Sequence, residues 1–387
     1  MEILSVLFAL LRFEMDGTGL CDDIKNAITI EILPALFKLS KKHDLAHLVG
    51  DALDKNGLLP DNLAAKKRFL QERNMAIYRV EQIHYEYEQI CTVLEKNKIP
   101  FIPLKGAVVR EYYPELWMRT SCDIDILVKE ESLSFAVETI KKELSYSVPS
   151  CAGVHDISLI SPGGIHLELH FTLNENIQSL DNALCLAWDY AIPIDGFSFR
   201  YRHTNEFLYF HIIAHTAYHL IAGGGCGLRP LLDIWIMQKF MPYTNNTVLG
   251  LCEKAGLLVF YDKMQKLSQS CMQGAGFTEE EGILLDFIMR AGMYGDVANR
   301  VAIQQVKKKG KLRLLLSRIF LPYKEMIIYY PTVKKYKILF PFYQLFRWIR
   351  LLFGKNSKNF RRELGAGFKA TEEKRNNVVK ILKILEL

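Results

Sequence analysis

The chain has 387 residues, half of them hydrophobic and 24% charged, the composition of an ordinary soluble protein able to bury a large core in two or three subdomains. No run reaches the ~18 apolar residues of a membrane span. The apolar start Met1 to Phe13 carries Glu2 where a signal peptide would be basic, so neither feature is expected. The net charge of +6 conceals an asymmetry: residues 300–387 hold 22 Lys/Arg against 5 Asp/Glu, leaving 27 against 38 elsewhere.

Residues 1–95 read as a helical N-terminal region. Ile28 to Leu53 has apolar residues at helical spacing, interrupted by Pro34. Lys66 to Asn97 lacks Gly and Pro and places Ile77, Val80, Ile83, Tyr87, Ile90 and Leu94 three to four apart, which predicts one long helix packed on a sheet.

Residues 96–200 carry the chemistry. Ile99 to Leu104 predicts a short buried strand, Lys105-Gly106 a turn, and Ala107 to Tyr113 a helix. Gly106 would let the backbone approach an anion, with the N–H groups of the following helix facing it. Cys122 to Val128 then alternates Asp123, Ile124, Asp125 and Ile126. Strand periodicity puts both carboxylates on one face and both isoleucines on the other. Adjacent like charges repel, and a strand gains nothing from them unless a divalent cation sits between. A solvated edge is the structural alternative.

Glu131 to Leu144 predicts an amphipathic helix. Ile157 to Ile160 and Ile165 to Phe171, joined through Ser161-Pro162-Gly163-Gly164, predict a hairpin with His166, Glu168 and His170 on one face. That trio suits a third carboxylate ligand, a zinc-type cluster, or merely a charged outer face of an edge strand. Leu180 to Ala191 reads as a further helix, followed by a turn at Asp195-Gly196.

Residues 201–299 form a third region. His211, His215 and His219 fall on one helical face, ahead of a Gly-rich break at 223–227 and a helix start at Arg229, Pro230 and Asp233. Aligned histidines can bind metal, contact phosphate or move protons, and they also serve as hydrogen-bonded core residues. The glycine run lacks the G-x-G-x-x-G context after a strand, so it does not announce a Rossmann site.

Residues 300–387 form a basic helical region. The sixfold aromatic run from Phe340 to Phe353, with Arg347 and Arg350 set in it, fits a membrane surface, a nucleic-acid stack, or a helix packing its aromatics inward. The basic excess itself suits nucleic acid, an anionic surface, the chain's own acidic half, or a solvated surface. Eight cysteines show no C-x-x-C pair and no disulfide-like spacing, the pattern of reduced thiols in a cytoplasmic protein.

The order Leu104-Lys105-Gly106, Tyr112-Tyr113, Arg119, Asp123-x-Asp125 and Glu168-Leu169-His170 resembles the uncharacterised nucleotidyltransferase family of the DNA polymerase β-like superfamily. The resemblance is densest over Lys98 to Phe171. It implies an α+β fold, with a small mixed sheet embedded in a mostly helical chain. It implies transfer of a nucleoside monophosphate from a nucleoside triphosphate such as ATP to an acceptor that is a small molecule, a protein or a nucleic acid. Asp123, Asp125 and Glu168 would hold Mg²⁺ or Mn²⁺, with Glu168 alternatively acting as the base. Lys105, Gly106 and Arg119 would meet the triphosphate, and His170, His215, His219, Arg229 and Asp233 the substrate side. Lys105-Gly106 stands where the superfamily commonly has Gly-Ser. The alternative from another class is a non-catalytic module of the same fold, docking nucleic acid or an anionic surface through the basic C-terminal region. A zinc hydrolase built on His166, Glu168 and His170 is a third reading.

Overall fold

The computed structural model describes residues 3–60, 64–149, 155–274, 276–308 and, with interruptions, 313–353 and 372–387. Helices dominate, and the strands form one four-stranded and one two-stranded sheet, the α+β architecture expected. The chain forms two compact units, Met1–Ala217 with Leu228–Leu285, and Tyr218–Gly227 with Asp286–Leu387.

The first unit opens with α1 (Ile3–Asp16), α2 (Asp22–Ala27), α3 (Leu33–Lys42), α4 (Ala46–Lys55) and α5 (Ala64–Lys96). Pro34 does not interrupt a helix; it sits in the first turn of α3, where its missing N–H costs nothing. The break falls instead at His43 to Leu45, where Asp44 takes a left-handed φ of 57°. The uninterrupted α5 buries Val80, Ile83, Tyr87, Ile90 and Leu94 along one stripe, as their spacing predicts, whereas Ile77 at the head of the predicted row is exposed.

Strands β1 (Phe101–Pro103), β2 (Asp123–Val128), β3 (Asp156–Ile160) and β4 (His166–His170) order as β1-β2-β4-β3. β2 and β4 are parallel, and the other two pairings are antiparallel. Ile124, Ile126 and Val128 of β2 and Leu167 and Leu169 of β4 join one core with Ile83, Ile90 and Leu94 of α5 and Ala136 and Ile140 of α7 (Leu133–Leu144). Slipping either strand by one residue would drive this row into the polar face, so burial itself pins the register.

Between β1 and β2, α6 (Gly106–Val109) makes one α-helical turn and passes into a tighter turn at Arg110–Tyr112, ahead of Pro114. After β4, α8 (Gln178–Leu184) stops earlier than its apolar pattern predicts. Ala191 opens β5 (Ala191–Pro193), which pairs with β6 (Tyr201–His203). The expected turn at Asp195-Gly196, with Gly196 at φ 85°, lies within the loop that joins these two strands. The unit continues with α9 (Asn205–Tyr218), α10 (Arg229–Phe240), α11 (Asn245–Ala255) and α12 (Leu258–Gln273).

In the second unit, the backbone at Gly224 lies against Asp296 and Arg300. A Cβ there would stand 2.4 Å from the Arg300 backbone nitrogen, and φ is 77°. The glycine run therefore permits close backbone packing. Seven described cysteines are free thiols; Cys151 lies outside the described residues.

His203 on β6 is 5% exposed and rests on Phe207, with ring centroids 4.6 Å apart. Burial favours its neutral form and pushes its pKa from 6.5 down to about 4. Its contribution to stability is complete above pH 6.5 and is lost as pH falls toward 4, because unfolding then takes up a proton. Between pH 7 and pH 5, wild type should lose about 2 kcal/mol more than His203→Gln in chemical denaturation. Equal losses would place the titration elsewhere.

Candidate active site

Parallel pairing sets Asp125 opposite Glu168 and Leu127 opposite His170. Asp123, Asp125, His166, Glu168 and His170 thus share the face opposite the isoleucine core. Asp125 is 6% exposed. Its Oδ1 lies 2.9 Å from Nε2 of His170 and 3.5 Å from Nζ of Lys105. Glu168 Oε2 is 3.5 Å from the same His170 nitrogen, and His155 stacks on His170 with the planes 2° apart.

These contacts set the protonation states. Burial raises the Asp125 pKa, but Lys105 and the His170 hydrogen bond outweigh it and hold the carboxyl well below its usual range. Burial pulls His170 down, yet its bonds to Asp125 and Glu168 lift it to about 8, so it is a cation at neutral pH. Asp123 is pushed up by burial and then by the charges of Asp125 and Glu168. Burial also raises Glu175 to about 7, against the pull of Lys105 and His170.

Lys105 holds φ 38° and ψ −105°, a conformation seldom adopted by a residue with a side chain. Burial is the largest single effect and pulls its pKa down, but Asp125, then Glu175, Glu168 and Asp123, together outweigh it and raise the ammonium's pKa. Gly106 sits in tight quarters: a Cβ there would lie 3.1 Å from Arg119 Nη1 and 3.3 Å from Ser121 Cβ, so a side chain would need these neighbours to give by a few tenths of an ångström. The N–H groups of Ala107, Val108 and Val109 donate to the carbonyls of Leu104 and Lys105. They are spent inside the turn, contrary to the expectation that the helix start faces an anion.

Arg119 donates from Nε and Nη2 to the two oxygens of Asp233, at 2.7 and 2.9 Å. The Tyr113 hydroxyl donates to Asp233 at 2.8 Å, all three groups being buried. Arg110 braces the same loop through the Gly106 carbonyl and Ser121 Oγ, both at 2.7 Å. Arg229 donates to the Thr120 carbonyl at 3.1 Å.

The structure thus gathers Lys105, Gly106, Asp123, Asp125, Glu168 and His170 around one polar face. It joins Arg119 and Asp233 as a buried pair beside the Lys105-Gly106 turn. His215 Nδ1 lies 3.8 Å from Glu175 Oε1. Of the three aligned histidines, His211 and His215 lie on α9, whereas His219 opens a π-helical turn in the second unit. Sequence reasoning missed Glu175 and His155, and named Tyr113 only as part of the resemblance, without its partner Asp233. Nothing in the local pattern marks Glu175, because only the folded chain carries it to Lys105.

Among the described residues, the three side chains whose ligand atoms converge within 4.8 Å are Asp125, Glu168 and His170. The set replaces His166 of the zinc-type expectation with Asp125. Counting Asp123 and Glu175, four carboxylates surround Lys105, while Lys105 and His170 supply two cations. This acidic excess and its hard oxygen donors fit a divalent cation, with the ligand atoms of Asp125, Glu168 and His170 the ones that converge.

A family model described as uncharacterised nucleotidyltransferase matches residues 33–273. No curated protein and no solved structure matches the chain.

Within the matched span, the Arg119–Asp233 pair is a stability element with a measurable signature. Asp233→Ala leaves a buried guanidinium uncompensated and should cost about 3–5 kcal/mol in chemical denaturation. The double replacement Arg119→Met/Asp233→Leu should recover most of that loss. A single-variant cost below about 1 kcal/mol would mean the guanidinium finds water instead.

Proposed function

Because the chain belongs to the uncharacterised nucleotidyltransferase family, we propose that it transfers a nucleoside monophosphate from a nucleoside triphosphate to an acceptor in a metal-dependent reaction, on a sheet of the polymerase β-like kind. The observation that carries this reading is the register of β2 on β4, which sets Asp125 beside Glu168 with Asp123 on the same face. Mg²⁺ suits the oxygen donors, and Mn²⁺ would tolerate His170 as an additional neighbour. When bound, such ions stabilise the attacking and leaving oxygens of an in-line displacement.

In this reading Asp123, Asp125 and Glu168 hold the metal. Lys105 and His170 keep Asp125 ionised, ready to ligate at neutral pH. Lys105 also meets the negative charge of the triphosphate across the Gly106 turn. The acceptor oxygen forms a bond to the α-phosphorus as the bond to the leaving pyrophosphate breaks. The acceptor's proton passes to a carboxylate, for which Glu168 is the candidate base. Arg119 and Asp233 position the turn through their mutual bond, and Arg229 and His215 border the substrate side.

Isothermal titration of the four ribonucleoside triphosphates, with and without Mg²⁺, tests the reading. Wild type should bind at least one of them only with metal, and Asp123→Asn/Asp125→Asn should bind none. Release of pyrophosphate by Asp125→Asn should fall about a thousandfold or more. If wild type binds no triphosphate, the fold serves as a binding module and the transferase reading fails.

A further inference from the structure

The helix Phe340–Phe353 of the second unit turns its polar groups inward. Gln344 is buried, with Nε2 donating to the Leu321 carbonyl at 2.5 Å and Oε1 accepting from the Leu321 N–H at 3.4 Å. Trp348 Nε1 and Arg347 Nη1 both donate to the Ile319 carbonyl, at 2.5 and 3.1 Å. Trp348 also packs edge-on against Phe320, and Tyr343 packs at a tilt against Tyr330.

The outward side is apolar. Phe342, Leu345, Phe346 and Ile349 are 68, 54, 50 and 51% exposed. At about 100° per residue they fall in one arc of about 100°. Just ahead of the helix, Ile338 is 81% exposed. A helix solvated on one side has the reverse polarity.

Charge points to the occupant of this stripe. Residues 326–362 contain nine Lys/Arg and no Asp/Glu. Lys334, Lys335 and Lys337 precede the helix, and the Arg350 guanidinium flanks the stripe 5.9 Å from the Phe346 ring. A second copy seated on this face would oppose cations to cations. Leu345, Ile349 and Ile338 offer no ring on which a base could stack. The helix has 14 residues, short of the ~20 needed to cross a bilayer.

We propose that the helix Phe340–Phe353 is an interfacial anchor that lies on an anionic lipid surface, its apolar stripe in the acyl boundary and the surrounding cations at the headgroups. The proposal stands apart from the transferase reading, since it uses none of the residues of that site.

Co-sedimentation of the full chain with vesicles tests it, using phosphatidylcholine alone and phosphatidylcholine mixed with phosphatidylglycerol. Wild type should sediment with the mixed vesicles, not with the neutral ones, and high salt should weaken the binding. Phe342→Asp/Phe346→Asp should partition about a hundredfold more weakly with its thermal unfolding midpoint unchanged. If that variant does not fold, Ile349→Asp alone and the charge variant Lys334→Gln/Lys335→Gln/Lys337→Gln take its place, each expected to weaken binding. Absence of vesicle binding overturns the proposal, as does equal binding by wild type and the stripe variants. So does a wild-type dimer that the stripe variants dissociate, or single-stranded RNA binding without vesicle binding.

Discussion

A carboxylate as buried as that of Asp125 stays ionised because Lys105 and His170 stand against the same oxygen. Without them, burial would drive the proton back on, and the face shared by β2 and β4 would lose the charge of its most deeply buried carboxylate. The compensation is incomplete by design of the fold. Asp123 and Glu175 feel like charges and burial more than they feel the two cations, and both retain a tendency to hold protons. A site so arranged favours a further positive charge, the property on which the proposed metal-dependent reading rests.

Holding those cations in place needs a backbone that ordinary helix and strand geometry does not supply. Lys105 adopts a strained conformation so that its ammonium reaches Asp125, and Gly106 leaves room for Arg119 and Ser121 beside it. The loop from there to β2 is braced by Arg110 on one side and by the Arg119–Asp233–Tyr113 cluster on the other. Asp233 is 3% exposed, so its bonds form where water does not compete. Strain at the turn is thus balanced by a buried polar network that begins over a hundred residues away along the chain.

The second unit uses its polar groups differently. Gln344, Arg347 and Trp348 fasten one helix to the Ile319–Leu321 segment through backbone carbonyls and an N–H, which leaves the helix's large apolar side chains outside. In the same unit the glycines near 224 let two backbone segments touch. Both arrangements follow from where hydrogen-bonding groups must be satisfied, and neither resembles the amphipathic pattern of the first unit.

Periodicity made much of the first unit legible. The three-to-four spacing in α5 and the alternation in Asp123 to Ile126 and His166 to His170 each fix a face from local geometry alone, and the hairpin of β3 and β4 follows from its turn residues. The candidate carboxylates Asp123, Asp125 and Glu168 were readable for the same reason. Local pattern failed after Leu184, where the predicted helix to Ala191 gives way to a turn and Ala191 instead opens β5, paired with β6. The aromatic run at Phe340 to Phe353 announced a helix but not which side would be inward, since that depended on the carbonyls of Ile319 and Leu321. Glu175 beside Lys105, and Arg119 clasping Asp233, were beyond sequence because each joins elements distant along the chain. Sequence alone determined which side chains share a face; the tertiary structure decided which charges meet, because a Coulomb partner is chosen by distance in space.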